Sequence, residues 1–137
     1  MDAKNAWYII QGGLTAFCGW LSWALGGFDG LLNALIVFMV CDYLSGLACA
    51  IIEKKLSSEV GFRGIFKKIM ILVLVGIAHA IDGYIIGSGD AVRTMVLVFY
   101  LSNEGVSLLE NAGRAGLPLP DKLKQILSQI HKGGKGK

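Results

Sequence analysis

The chain has 137 residues, of which 54% are hydrophobic and only 17% charged, with a net charge of +3 and a mean hydropathy of +0.60. Ordinary globular domains are about 25% charged, and a soluble core of this size cannot bury so much apolar surface; composition points to a bilayer as solvent and one domain by length. Cys18, Cys41 and Cys49 lie inside hydrophobic runs without the spacing of a zinc site or disulfide framework, so they read as small packing residues.

A spanning helix needs roughly 20 predominantly apolar residues. The first candidate runs from about residue 6 to 26, uncharged, with Trp7 and Tyr8 near one end and Trp20 and Trp23 near the other, as in an aromatic belt. Its end at Ala24-Leu25-Gly26 loosely resembles a signal cleavage site, but the run reads as a retained helix. After the turn Gly26-Gly27-Phe28-Asp29-Gly30, the second candidate covers 31–52. A charged loop, Glu53 to Lys68, separates it from the third at 69–86, and the turn Gly87-Ser88-Gly89-Asp90 leads to the fourth at about 92–111. Gly113, Gly116, Pro118 and Pro120 then stop the helix.

Cytoplasmic loops collect positive charge. Lys4, the loop residues Lys54, Lys55, Arg63, Lys67 and Lys68, and six basic residues from Arg114 onward make twelve of the thirteen Lys and Arg, all on one side of a four-helix path. Only Arg93 falls opposite. A three-helix path loses this agreement. The expected fold is therefore an all-α integral membrane protein: four transmembrane helices over 1–116, both termini inside, then a basic cytoplasmic tail over 117–137. In that tail Leu123, Ile126, Leu127 and Ile130 recur at i, i+3, i+4 and i+7, which predicts a short amphipathic helix suited to an anionic membrane surface or to packing on the protein.

Acidic groups inside the apolar runs carry the functional argument. A mid-membrane carboxylate costs ~2.5–3.5 kcal/mol to insert, against about −0.3 to −0.6 for each Leu, Ile, Val or Phe. The second helix tolerates Asp42 easily, and the third is near balance with His79 and Asp82. The fourth, with about nine strongly apolar residues against Glu104 and Glu110, does not insert alone with both ionised. Its polar residues form one stripe: Tyr100, Asn103, Glu104, Ser107, Glu110, Asn111 and Arg114 at i, i+3, i+4, i+7, i+10, i+11 and i+14. Such a stripe lines an aqueous path where copies meet, packs against Asp42, Asp82 and His79 within one chain, or lies in the interface. Glu110 and Arg114, at i, i+4, are also spaced to pair. Asp42, His79 and Asp82 are the expected polar support, His79 and Asp82 as a hydrogen-bonded pair at i, i+3.

Small residues four apart let helix backbones approach closely in lipid. Gly12, Ala16 and Gly19 in the first helix and Ser45 and Gly46 in the second are the expected association residues, within a chain or between chains. No nucleophile–base set, phosphate-binding glycine loop or metal motif stands out, so no catalytic, cofactor-binding or metal-ligating residue, and no enzyme, is expected.

Several of these residues form ordered motifs: Asp42-Tyr43-Leu44-Ser45-Gly46, Leu56-Ser57-Ser58, Arg63-Gly64 with Lys67-Lys68, Asn103-Glu104-x-x-Ser107-x-x-Glu110-Asn111, then Gly116-x-Pro118-x-Pro120 and a basic tail. In these the chain resembles the phage-lysis and toxin-secretion holin family, also called holin family 4. The first helix matches in character only, and His79 belongs to none of the motifs. The resemblance implies accumulation in the bacterial inner membrane and self-assembly into lesions that pass an endolysin or a toxin. Partners are then lipid, further copies of the chain, and an endolysin or toxin served without stable binding; no nucleic acid is expected. Two other readings stay open: a small ion channel or proton-coupled transporter using Asp42, His79 and Asp82, and a membrane adaptor using the basic loop and tail.

Overall fold

In a computed structural model describing residues 2–133, five α-helices follow one another: α1 (Ala3–Ala24), α2 (Gly30–Ile52), α3 (Ser58–Ala80), α4 (Ala91–Arg114) and α5 (Asp121–Gly133). A π-helical segment, Ile81–Ile86, prolongs α3. Among the described residues there is no strand. Leu127 and Ile130 of the expected tail stripe, and the basic residues from Lys132 onward, lie outside the described side chains.

Local chemistry sets the helix ends. The Asp29 carboxylate accepts from the Leu32 amide at 2.9 Å and opens α2. Ser57 does the same for α3, its hydroxyl accepting from the Val60 amide at 3.2 Å. One turn on, Arg63 donates to Glu59 at 2.9 Å. These two contacts correct the expected loop: α3 starts at Ser58, not 69, and most of the charged stretch is helical. Hydropathy finds where a helix becomes apolar, not where it begins. At the far end Gly116, at φ 88°, closes α4 with Leu117 donating to the Ala112 carbonyl at 3.0 Å.

Leu25, Leu32, Leu35, Met39, Ile71, Val75 and Leu97 form one buried cluster from the α1–α2 turn, α2, α3 and α4. α2 and α4 run parallel and pack most extensively, with α3 against both. Tyr43 of α2 lies against the backbone of α3, where a Cβ on Gly64 would stand 3.0 Å from its ring. α1 differs. It has no buried residue and meets α3 near its own C-terminal end, the Ala24 carbonyl lying 3.3 Å from where a Gly76 Cβ would stand. Among the described residues two helices are long and apolar enough to cross a membrane, Gly30–Ile52 and Ser58–Ile86, rather than the four expected.

Candidate functional site

Polar side chains gather at two levels of the α2–α3–α4 bundle. At the first level Arg93, 2% exposed in the opening turn of α4, reaches back to the α1–α2 turn. Its Nε donates to the Leu25 carbonyl at 2.6 Å, Nη1 to the Asp29 carboxylate at 2.5 Å, and Nη2 to the Gly27 carbonyl at 2.9 Å. A guanidinium suits the place because its rigid fork feeds three acceptors at once. That hydrogen bond holds the Asp29 carboxyl below its ordinary value, with the Leu32 amide adding to the effect. Gly26, at φ 79°, leaves the space: a Cβ there would stand 2.7 Å from His79 Nδ1 and 2.8 Å from Arg93 Nε.

Asp82, 1% exposed within the π-helical turn, accepts from the Arg93 amide at 2.8 Å and the Val92 amide at 3.1 Å. It thus caps α4 from outside that helix's own sequence, since Asp90 offers no side-chain cap. The expected His79–Asp82 hydrogen bond does not form: both Asp82 oxygens serve backbone amides, and His79 Nδ1 is buried without a partner. The sequence reading missed Arg93 as a buried residue. The available signal was that both turns of a four-helix path share one side, one carrying Asp29 and the other Arg93.

The second level stands about 16 Å further along the parallel pair, eleven residues on. Lys68 from α3 lies between α2 and α4, its Nζ donating to Asp42 Oδ2 at 2.7 Å and to Glu104 Oε2 at 2.5 Å. All three side chains are largely covered, at 15%, 17% and 10% exposed respectively. Two turns further along α4, the Asn111 amide donates to the Asp42 carboxylate at 3.1 Å, the Asp42 carbonyl at 3.2 Å and the Ser45 hydroxyl at 2.9 Å. Asn111 packs beside Gly46, whose Cβ position stands 3.6 Å from the amide nitrogen, an ordinary contact distance. Cys49 Sγ donates to the Asn111 carbonyl at 3.4 Å. Beyond the apolar region Arg114 donates to both Glu53 oxygens, at 3.0 and 3.2 Å, and to Asn111 Oδ1 at 3.2 Å. Arg114 thereby lowers the Glu53 carboxyl below its ordinary value. Arg114 therefore takes Glu53 across helices as its hydrogen-bonded partner, and Glu110, the residue that spacing along α4 pointed to, acts on it more weakly through its charge.

The α4 stripe is thus divided. Glu104 and Asn111 are buried and served within the chain, Tyr100, Ser107 and Glu110 are half-buried, and Asn103 is exposed. Asp82 and His79 belong to the Arg93 level and do not meet Glu104. Of the expected association residues, Ser45 and Gly46 are used against α4 within the chain, while Gly12, Ala16 and Gly19 are exposed on α1. Of the basic set, Lys54, Lys55, Arg63 and Lys67 are exposed, and Lys68 points inward.

A family model described as the bacteriophage holin family matches residues 19–132. The chain belongs to the bacteriophage holin family. Family membership and two membrane-length apolar helices make it a holin-like membrane protein. It is 43% identical to the uncharacterized protein Lmo0128 of Listeria monocytogenes over 119 residues, 87% of this chain and 84% of that one. With an uncharacterized 14.9 kDa protein encoded in the nagH 3′ region of Clostridium perfringens it shares 38% identity over 128 residues, 93% of this chain and 97% of that one. With the uncharacterized protein YqxH of Bacillus subtilis the figure is 32% over 99 residues, 72% and 70% of the two chains. No solved structure matches the chain. The holin motifs read from the sequence coincide with the polar locks just described. Asp42 and Lys68 join at Glu104, Tyr43 lies on Gly64, Ser45 and Gly46 receive Asn111, and Ser57 opens α3.

Proposed function

We propose that the chain is a pore-forming holin, non-enzymatic, that crosses the bacterial inner membrane four times with both ends in the cytoplasm. It accumulates there and self-assembles into lesions through which an endolysin, or a secreted toxin, reaches the cell wall. The carrying observation is the contrast between α1 and the rest of the molecule. α2, α3 and α4 satisfy one another with ion pairs and a shared core. α1 buries no residue and touches that core only near its end, through Leu21, and positions equivalent to a Cβ at Gly12 and Gly19 meet nothing within 4 Å. A helix whose close-approach face is unspent in one chain is free to spend it on another.

The polar stripe gives assembly a condition. Asn103 is exposed and Ser107 half-buried in the single chain, whereas Glu104 and Asn111 reach water only by leaving Lys68 and Asp42. The form described above is therefore the unassembled one, and lining a lesion with Glu104 requires the helices to separate at this level.

The test is induction in bacteria with and without a co-expressed endolysin. Abrupt lysis that depends on the endolysin is the expected result. Slow depolarisation without endolysin release would replace this reading with a selective channel, and no permeability change with an adaptor.

A further inference from the structure

The Asp42–Lys68–Glu104 contact fixes one level across three helices, and the side chains exposed at that level differ around the molecule. On α2 every exposed side chain from residue 34 to 52 is apolar, Val37, Val40, Leu44 and Ile51 among them. That stretch rises about 28 Å at 1.5 Å per residue, close to the ~30 Å hydrocarbon core of a bilayer. Asp42 lies ~15 Å from its Ile52 end, so this level is the middle of the membrane.

α3 and α4 present a different surface there. Glu59, Arg63 and Lys67 are exposed at i, i+4 and i+8, one line along the opening turns of α3. Arg63 is paired with Glu59, while Lys67, beside Lys68 at mid-depth, has no ion pair among the described residues. On α4 the exposed apolar side chains end at Phe99, and exposed Ser102 and Asn103 follow beside Glu104. Residues 91–101 rise only ~16 Å, about half of what α2 offers.

Hydrocarbon does not tolerate an unpaired ammonium at its centre; snorkelling, local thinning and water defects relieve the cost. The lysine stem covers only part of the way to the surface, and Asn103 has no such stem. A helix whose apolar stretch is too short for its bilayer thins that bilayer around it.

We infer that the α3–α4 flank thins the membrane on one side of the molecule, bringing water down to Lys67 and Asn103, while the α2 flank stays at full thickness. This rests on the membrane reading above and gives the lone chain a lipid-deforming face. Copies that bring these flanks together join thin patch to thin patch, so water is at mid-depth before Lys68 leaves its carboxylates.

Cys41 and Asn103 make the test, since both are exposed at the same level, one on each flank. Two single-cysteine chains are reconstituted in phosphatidylcholine vesicles at low protein density: one keeps Cys41, the other carries Asn103→Cys with Cys41→Ala. N-ethylmaleimide attacks a hydrated, ionisable thiol, so the thiol at 103 is expected to react about tenfold faster than Cys41. Lys67→Leu brings that rate down towards the Cys41 value, and Lys67→Arg keeps it. Longer acyl chains slow the reaction at 103; a rate independent of acyl length overturns thinning. Equally slow labelling at both sites, no effect of Lys67→Leu, or fast labelling only at high protein density each overturns the inference and leaves the membrane reading standing. Equally fast labelling at both sites defeats the membrane reading itself.

Discussion

Replacing Lys68 with methionine removes the one cation that stands between two largely buried carboxylates. Asp42 and Glu104 approach Lys68 Nζ at 2.7 and 2.5 Å, and each is less than a fifth exposed. Two unit charges 4 Å apart interact by ~4 kcal/mol at an effective dielectric of 20, so Lys68→Met both loses this attraction and leaves two like charges facing each other. Removing one partner of a buried pair costs about 3–5 kcal/mol, and that is the expected loss of unfolding free energy in mixed micelles titrated with sodium dodecyl sulfate. The triple variant Asp42→Asn, Lys68→Met, Glu104→Gln removes every charge and recovers most of it, since a buried ion network exchanged for neutral groups of similar volume is often neutral in cost. In cells Lys68→Met is expected to shift the onset of endolysin-dependent lysis, because the separation that assembly needs is already partly made. A loss below ~1 kcal/mol, the worth of a solvent-exposed pair, together with unchanged lysis timing, would show that water already screens these charges and that they lock nothing.

At the other level, Arg93→Lys keeps the charge and loses the fork that feeds Leu25, Gly27 and Asp29, so unfolding free energy falls by roughly 2–4 kcal/mol; an unchanged value refutes the staple. Asp29 is depressed below its ordinary 3.8 by Arg93, so its stabilisation is present above that pH and is lost as pH falls through the folded value. Stability curves for wild type and Asp29→Asn accordingly stay apart at neutral pH and converge only below pH 3.8; a constant offset through the acid range contradicts the pairing. Gly26→Ala places a methyl 2.7 Å from His79 Nδ1 at a positive φ, so it destabilises more than Gly27→Ala, which adds the backbone strain of about 1–2 kcal/mol without the clash. Leucine at both Gly12 and Gly19 leaves the unfolding free energy of the single chain unchanged and delays lysis in cells; lysis on the wild-type schedule removes α1 from assembly.

Much of the helical plan was legible because lipid makes helix the default for an apolar run, and the turns carry glycine and capping residues at the points where the chain reverses. The α4 stripe and its excess of carboxylate were legible for the same reason: spacing fixes which residues share a face. Spacing along one helix cannot say what stands opposite. Arg114 therefore hydrogen-bonds Glu53 across helices, a partner its own helix could not reveal, and Lys68, counted with a cytoplasmic loop, turned inward. The missing step was a charge balance across helices: Asp42 on α2 and Glu104 on α4 need a cation, and Lys68 is the basic residue that borders the apolar run of α3. Arg93 was hidden by its position, since a single Arg at a turn reads as exposed until Asp29 and two carbonyls are found beside it.

The two polar levels act on different parts of the fold. Arg93 binds the α1–α2 turn to the start of α4, so it fixes where α1 leaves the bundle while leaving the length of α1 unpacked. Lys68 and Asn111 bind α2, α3 and α4 midway and hold the costliest residues of α4 out of lipid. On the proposed four-span topology, insertion of α4 and exposure of its stripe are therefore opposed demands met by the same contacts. A carboxylate too costly for lipid enters the membrane only with its lysine, and lines water only by giving that lysine up. Neighbouring copies can favour that exchange by contributing area along α1 and water along α4, and their contribution grows with the number of chains that meet. On the proposed function, a lone chain is held shut by its own ion pairs, and further copies open it.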